Sequence, residues 1–167
     1  MTTKPKQKTS ILFVCLGNIC RSPLAEAVFS NLLNEQSLSD KYAVGSCGTG
    51  DWHVGRGADN RTSEEAKSRG ISLDAHVARQ FCREDLDNFD LIVAMDRQNQ
   101  REVIRLSKDR GQHRAVIRLL REFDEDTTDL DVPDPYYGGS DGFARVHDII
   151  ERCARELLKE LESRDVV

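Results

Sequence analysis

No apolar run in the sequence is long enough to cross a bilayer, which argues against a membrane partner. No charged-then-apolar leader opens it. No basic excess exists either: Lys plus Arg is 24, Asp plus Glu is 29, and the formal charge is -5. Proteins that bind nucleic acid usually carry a basic surplus, so that partner class is not expected. An acidic chain still binds an anion where a site is locally positive, a task for backbone N–H groups and one or two placed arginines. The five cysteines are odd in number and lack the dense spacing of a disulfide framework. Free thiols and a reducing cytoplasm are therefore expected. None of the four histidines sits at metal-ligand spacing, so neither metal nor cofactor is expected. There is no internal repeat and no low-complexity linker. What remains is an ordinary globular balance, 38% hydrophobic and 32% charged. We expect one domain over residues 10–163, acting as a monomer, after a polar, basic, disordered tail at 1–9.

Ile11 to Leu16 is a continuous apolar run, as in a strand buried on both faces. Gly17-Asn18 breaks it. Ser22-Pro23 then reads as a helix start, with Ser22 as N-cap and Pro23 in the first turn. Further strands are predicted at Tyr42–Val44, Leu91–Met95 and Ala115–Leu120, the last with the weakest pattern. The stretch from Gly45 to Trp52 reads as a loop. Helices are predicted at Thr62–Arg69, stopped by Gly70, and at Arg97–Leu106. Residues 127–142, rich in Asp, Pro, Tyr and Gly, read as another loop. A final long helix carries Phe143, Val146, Ile149, Ile150, Cys153, Leu157 and Leu161 on one stripe. Strands alternating with helices imply an α/β fold with an open parallel sheet covered on both faces. Ligands of such sheets bind at the carboxyl ends of the strands, where Cys15, Ser46 and Asp96 all fall.

The stretch Val14 to Pro23, VCLGNICRSP, carries the chemistry. A loop between strand and helix turns successive N–H groups inward and makes an anion nest, strengthened by the helix dipole. Gly17 permits close approach and positive φ, and Asn18 tolerates the left-handed conformation. Arg21 grips two phosphate oxygens at once, which lysine does not. The field that attracts phosphate also favours ionised sulfur on Cys15, making it a nucleophile aimed at a bound phosphoryl group. Ser22 is placed to hydrogen-bond that sulfur. Taken singly, Cys15 is a small apolar residue ending a strand and Gly17-Asn18 is a turn. The combination with Arg21 and a helix start has no purely structural explanation.

Asp134 lies between Pro133 and Pro135, so its backbone is restricted on both sides. Alone it would be a solvated turn residue. Beside a Cys-Arg nest it is the candidate acid for a leaving oxygen. Asp129 and Asp131 lack that bracketing and read as surface charge. Trp52, Tyr136 and Tyr137 are among the few aromatics and all fall in loops. They are either loop anchors or flat walls that sandwich an aromatic ring above the nest. His76 reads as a polar loop residue. Cys20 has two readings of equal standing, packing against the sheet or a thiol that traps oxidised Cys15. Cys47, Cys82 and Cys153 read as structural.

Together, Val14–Pro23 and Asp134-Pro-Tyr-Tyr-Gly138 resemble the low-molecular-weight protein tyrosine phosphatases, a likeness running from about Ser10 to Leu161. Ser46, Trp52–Arg56, Ala75–Gln80 and Met95-Asp96 also fit that family's pattern. The resemblance implies a three-layer α/β/α fold with a four-stranded parallel sheet and no metal. It implies Cys15 as nucleophile, Arg21 as phosphate clamp and Asp134 as general acid. The backbone of Leu16, Gly17, Asn18, Ile19, Cys20, Arg21 and Ser22 would cradle the phosphate. Asn18 would hold that loop through Ser46, His76 and Ser22, and Trp52 and Tyr136 would wall the cleft. Phosphotyrosine proteins, inorganic phosphate and similar oxyanions are the implied partners. In some relatives the tyrosines matching Tyr136 and Tyr137 are themselves phosphorylated. Arsenate reductases share the nest but add two cysteines near the third strand, a pattern this chain lacks. Protein arginine phosphatases tend to have Thr where this chain has Ile19. Cys47 departs from the small residue common at its position. Two rival uses of the nest are a phosphate or phosphotyrosine reader without turnover, and a redox sensor built on Cys15 and Cys20.

Overall fold

A computed structural model describes residues 6–125, 127–139 and 141–163. In chain order the elements are β1 (Thr9–Cys15), α1 (Arg21–Glu35), β2 (Tyr42–Gly48), α2 (Asn60–Ser68), α3 (Asp85–Asn88), β3 (Leu91–Ala94), α4 (Arg97–Lys108), β4 (Val116–Leu119) and α5 (Asp141–Ser163). Short 3-10 turns lie at Leu120–Phe123 and Pro135–Tyr137. The four strands are all parallel, in the order β2-β1-β3-β4. This is the expected three-layer α/β fold.

The apolar run of β1 follows from the layers on either side of it. Side chains alternate across a strand. Ile11 and Phe13 point to the side of α1 and α5, where they pack with Val28, Phe29, Ile150 and Leu157. Leu12 and Val14 point to the opposite side, with Leu86 of α3, Ile92 and Val103 of α4. A strand covered on both faces needs apolar residues at both parities. The chain leaves β1 towards β2 on one side, while β3 lies on the other. The carboxyl end of β1 is thus the switch point of the sheet, where such folds open a crevice.

Several element ends differ from the sequence expectation. Strand β2 runs on to Gly48, because Gly45 to Gly48 pair in register with Leu12 to Cys15. The small, polar residues there have little intrinsic strand preference, and tertiary pairing overrides it. Thr9, expected in the tail, pairs with Tyr42 as the first residue of β1, whereas Met1 to Pro5 lie outside the described residues. Helix α1 begins at Arg21, with Cys20 rather than Ser22 at the cap position and no side-chain cap. The Ser22 hydroxyl is turned to the loop instead. Helix α2 starts earlier, behind Asp59, whose carboxylate accepts from the Arg61 N–H. Asp96 caps α4 in the same way by accepting from the Asn99 N–H. The short α3 and the two 3-10 turns had no periodic signal.

His147 of α5 is wholly enclosed, and neither ring nitrogen finds a partner among the described residues. Burial holds its pKa below the ordinary histidine value, reinforced by Arg69 and opposed by Glu151, Glu65 and Asp148. Among the described residues no helix is long and apolar enough to cross a membrane.

Candidate active site

The loop from Leu16 to Cys20 turns from the end of β1 into α1 around one residue, Asn18. It is fully buried and sits in the left-handed region at φ 55°. Its amide Nδ2 donates to Ser22 Oγ (2.8 Å) and Ser46 Oγ (3.0 Å). Its Oδ1 accepts from the Arg79 N–H (3.0 Å), and its backbone carbonyl accepts from His76 Nε2 (2.7 Å). Ser22, Ser46 and His76 are therefore the partners expected for it. Glu26 extends the network by accepting from Ser46 Oγ (2.9 Å). A second support lies at Gly48, where a Cβ would stand 2.6 Å from the Leu16 carbonyl oxygen. Only glycine lets β2 lie this close to the loop. Gly17 differs from expectation, since it is not among the positive-φ glycines. A Cβ there would lie 2.9 Å from the His53 ring, which would have to shift.

This scaffold aims sulfur into the loop. Cys15 Sγ lies 2.9 Å from Ser22 Oγ and accepts from the Asn18 N–H at 3.3 Å. Arg21 is buried, and its Nη1 donates to Asp96 Oδ2 (2.6 Å) and to the Val132 carbonyl (3.0 Å). Burial opposes its charge, but Cys15, Asp96 and Asp134 outweigh that and raise its pKa above the ordinary arginine value. Its Nη2 lies 3.5 Å from Asp134 Oδ2. Cys15 and Arg21, six positions apart in one loop, thus meet Asp134 from a distant part of the sequence.

Asp134 belongs to the segment that starts where the Val132 N–H donates to the Met95 carbonyl, at the end of β3. Its Oδ1 accepts from the Tyr136 N–H (3.0 Å) and caps the turn that carries both tyrosines. Asp131, expected as plain surface charge, ties this segment to α4 by accepting from the Arg97 N–H and Nε. Asp129 lies 3.7 Å from Arg121.

Above the sulfur opens a cleft of about 340 Å³. Leu16, Gly17, Ile19, Cys20 and Arg21 line it with Cys15, and Trp52, His53, Asp134, Tyr136 and Tyr137 complete it. Tyr136 and Tyr137 meet edge to face at 5.0 Å, and Arg61 lies over the Tyr136 ring at 5.4 Å. Trp52 and Tyr137 are largely exposed, at 68% and 82%.

The other cysteines divide. Cys20 is enclosed, and burial above all, with Asp59 adding to it, pushes its thiol up to about 12. Cys47 is buried behind the loop, where its carbonyl accepts from Ser22 Oγ at 3.2 Å. Cys153 lies on the buried stripe of α5. Cys82, expected to be structural, is exposed, with Sγ 3.4 Å from Asp85 Oδ2. Sequence reasoning missed Glu26, Arg79 and the Val132 carbonyl. Arg79 is 61 positions from Asn18, and a bidentate pair with buried Asp85 steadies it (2.9 and 3.0 Å). No local pattern marks such partners.

Known proteins resemble this chain over most of its length. The family model described as low molecular weight phosphotyrosine protein phosphatase matches residues 10–166. The low molecular weight phosphotyrosine protein phosphatase of Sus scrofa is 43% identical over 152 residues, covering 91% of this chain and 95% of the relative. A crystal structure of an Entamoeba histolytica protein tyrosine phosphatase, with Hepes in its active site, superposes with a TM-score of 0.86. It is 40% identical and covers 93% of this chain and 98% of the other. A Drosophila arginine phosphatase structure is more distant, with a TM-score of 0.87 but 31% identity, covering 93% of this chain and 99% of the other. By sequence over most of its length, and by the fold that carries the loop, the chain belongs to the low molecular weight phosphotyrosine protein phosphatases, a family of hydrolases.

Proposed function

We propose that the chain hydrolyses phosphotyrosine in proteins through a phosphocysteine on Cys15. The carrying observation is the meeting of Cys15 Sγ, a buried Arg21 and Asp134 beneath an aromatic-walled cleft. The thiolate attacks phosphorus in line, forming the S–P bond as the O–P bond to the phenol breaks. Asp134 gives its proton to the leaving phenolic oxygen. Arg21 and the loop N–H groups hold the equatorial oxygens as charge spreads in the transition state. Water then attacks the phosphocysteine. Asp134 takes the water's proton, and the Ser22 hydroxyl turns its one proton from the Cys47 carbonyl to sulfur as sulfur leaves.

Trp52 and Tyr136 favour a flat aryl ester over a short seryl one, which would not reach sulfur from the rim. Ile19, where protein arginine phosphatases tend to have Thr, and the paired tyrosines favour phosphotyrosine over phosphoarginine. Cys20 has a protective part in the same reading. A peroxide-oxidised Cys15 sulfenic acid condenses with the Cys20 thiol and loses water. A thiol pushed up to about 12 makes that step slow at neutral pH. The site works in the cytoplasm, on a single protomer, without metal.

The test is turnover of an aryl phosphate with and without reductant, followed by acid quench and mapping of protein-bound phosphate. Turnover with phosphate on the Cys15 peptide is expected, and both should vanish in Cys15→Ser. Unchanged turnover in that variant would overturn the mechanism. Tight phosphate binding with no turnover would make the chain a reader. A peroxide-responsive Cys15–Cys20 disulfide with negligible hydrolysis would make it a sensor.

A further inference from the structure

A second hollow, of about 440 Å³, lies beside the cleft. Leu16 and Trp52 line both, so the two share a partition. A peptide whose phosphotyrosine enters the cleft carries its neighbouring residues past Trp52. The far side of the hollow is α4, through Gln98, Arg101, Glu102 and Arg105.

The charge on that side is unevenly satisfied. Arg97, Arg101 and Arg105 stand four residues apart, on one face of α4. Arg97 is bound to Asp131, and Arg105 to Glu102. Arg101 is exposed and makes no hydrogen bond or ion pair among the described residues. It acts on Asp131 only through space, and Arg97 already holds that carboxylate. One uncovered guanidinium therefore faces a hollow beside the cleft of a protein with a net charge of -5.

We propose that this hollow is a subsite for an acidic side chain flanking the phosphotyrosine, and that Arg101 selects it. The proposal rests on the phosphotyrosine reading above. A carboxylate matches one free guanidinium in charge and in its two-oxygen geometry. A second phosphate fits less well, because Glu102 in the same hollow repels a dianion more strongly. The acidic bulk of the protein disfavours acidic peptides in general, so a local preference for them needs a basic group beside the cleft, the place Arg101 occupies.

The test compares three substrates: a phosphotyrosine peptide with Asp or Glu placed in turn at each flanking position, the same peptide with Asn or Gln there, and a simple aryl phosphate. The wild-type protein should favour one acidic position by roughly 2- to 5-fold in kcat/KM, the range of an exposed ion pair. High salt should shrink that ratio. Arg101→Ala should abolish it and Arg101→Glu should reverse it, with aryl phosphate turnover unchanged. Arg101→Lys should keep part of it. A ratio that is the same in wild type and Arg101→Ala overturns the subsite, as does an equal loss on all three substrates. Failure of the wild-type protein to turn over aryl phosphate counts against the activity instead. The subsite is then read from the affinities of the acidic and neutral peptides for the wild-type and Arg101→Ala proteins.

Discussion

Asn18, at the floor of the cleft, is fully buried and gives every polar group of its side chain to a neighbour; Tyr137, at the rim, is 82% exposed and leans edge-on against Tyr136. The floor joins the ends of β1, β2 and β3 by hydrogen bonds that cross the sheet. The rim is two loop segments, around Trp52 and around Asp134 to Tyr137. A transition state tolerates little displacement of the groups that stabilise it, so the floor is fixed. On the proposed activity, protein substrates differ in shape around the phosphotyrosine, and an exposed aromatic rim would accommodate them. Asp134 belongs to both regions: it rides on the rim segment, yet its carboxylate lies beside Arg21 of the floor.

Asp134→Ala tests that double membership most severely. We expect kcat to fall by about 10²- to 10⁴-fold, the usual range for a positioned acid. The loss should grow as the leaving phenol becomes more basic. An equal loss across phenols of different pKa would place Asp134 with the rim alone. Asn18→Ala tests the floor without touching the reacting atoms. It orphans the Arg79 N–H, at about 1–3 kcal/mol if that group stays dry, and takes one donor from each of Ser22 and Ser46, which keep their other partners. Loss of the left-handed turn should also lower kcat on the order of 10²-fold. A stable variant with normal kcat would show that the floor needs no such lock.

Trp52→Ala tests the rim. It should raise KM for aryl phosphates roughly 2- to 10-fold with little change in kcat, as for loss of one aromatic contact. A fall in kcat matching Asn18→Ala would erase the distinction between the regions. The smallest effect is on acid stability and lies outside both regions. His147 lies in neither region, and its folded pKa is depressed. The unfolded chain therefore binds the extra proton below the ordinary histidine pKa of roughly 6.5, and stability is lost as pH falls through that range. His147→Leu should flatten the decline in denaturation midpoint between pH 7 and 5, leaving the aryl phosphate pH profile unchanged above pH 6.5. An unaltered decline would assign acid sensitivity to other groups.

Much of the floor was legible because its residues are contiguous. Cys15 to Ser22 is a strand end, a turn and a helix start, each with a local signature. Where reading failed, the cause was distance. Gly45 to Gly48 look like a loop until β1 lies alongside. Ser22 has the residue type of an N-cap, but the sulfur and Asn18 claim its hydroxyl. Cys82 looked like its buried fellows, yet it is exposed in the segment before α3.

The amino-acid order by itself settled the layered α/β architecture, the anion-binding loop and the pairing of a cysteine with an arginine. These follow from side-chain periodicity and from short-range backbone preferences, which act over a few residues. Folding alone decided that Asp96 and the Val132 carbonyl hold Arg21, that Arg79 and Glu26 brace the loop, and that Arg101 stands uncovered beside the cleft. Such choices depend on which chain segments become neighbours across a sheet, and no spacing along one strand or helix encodes that.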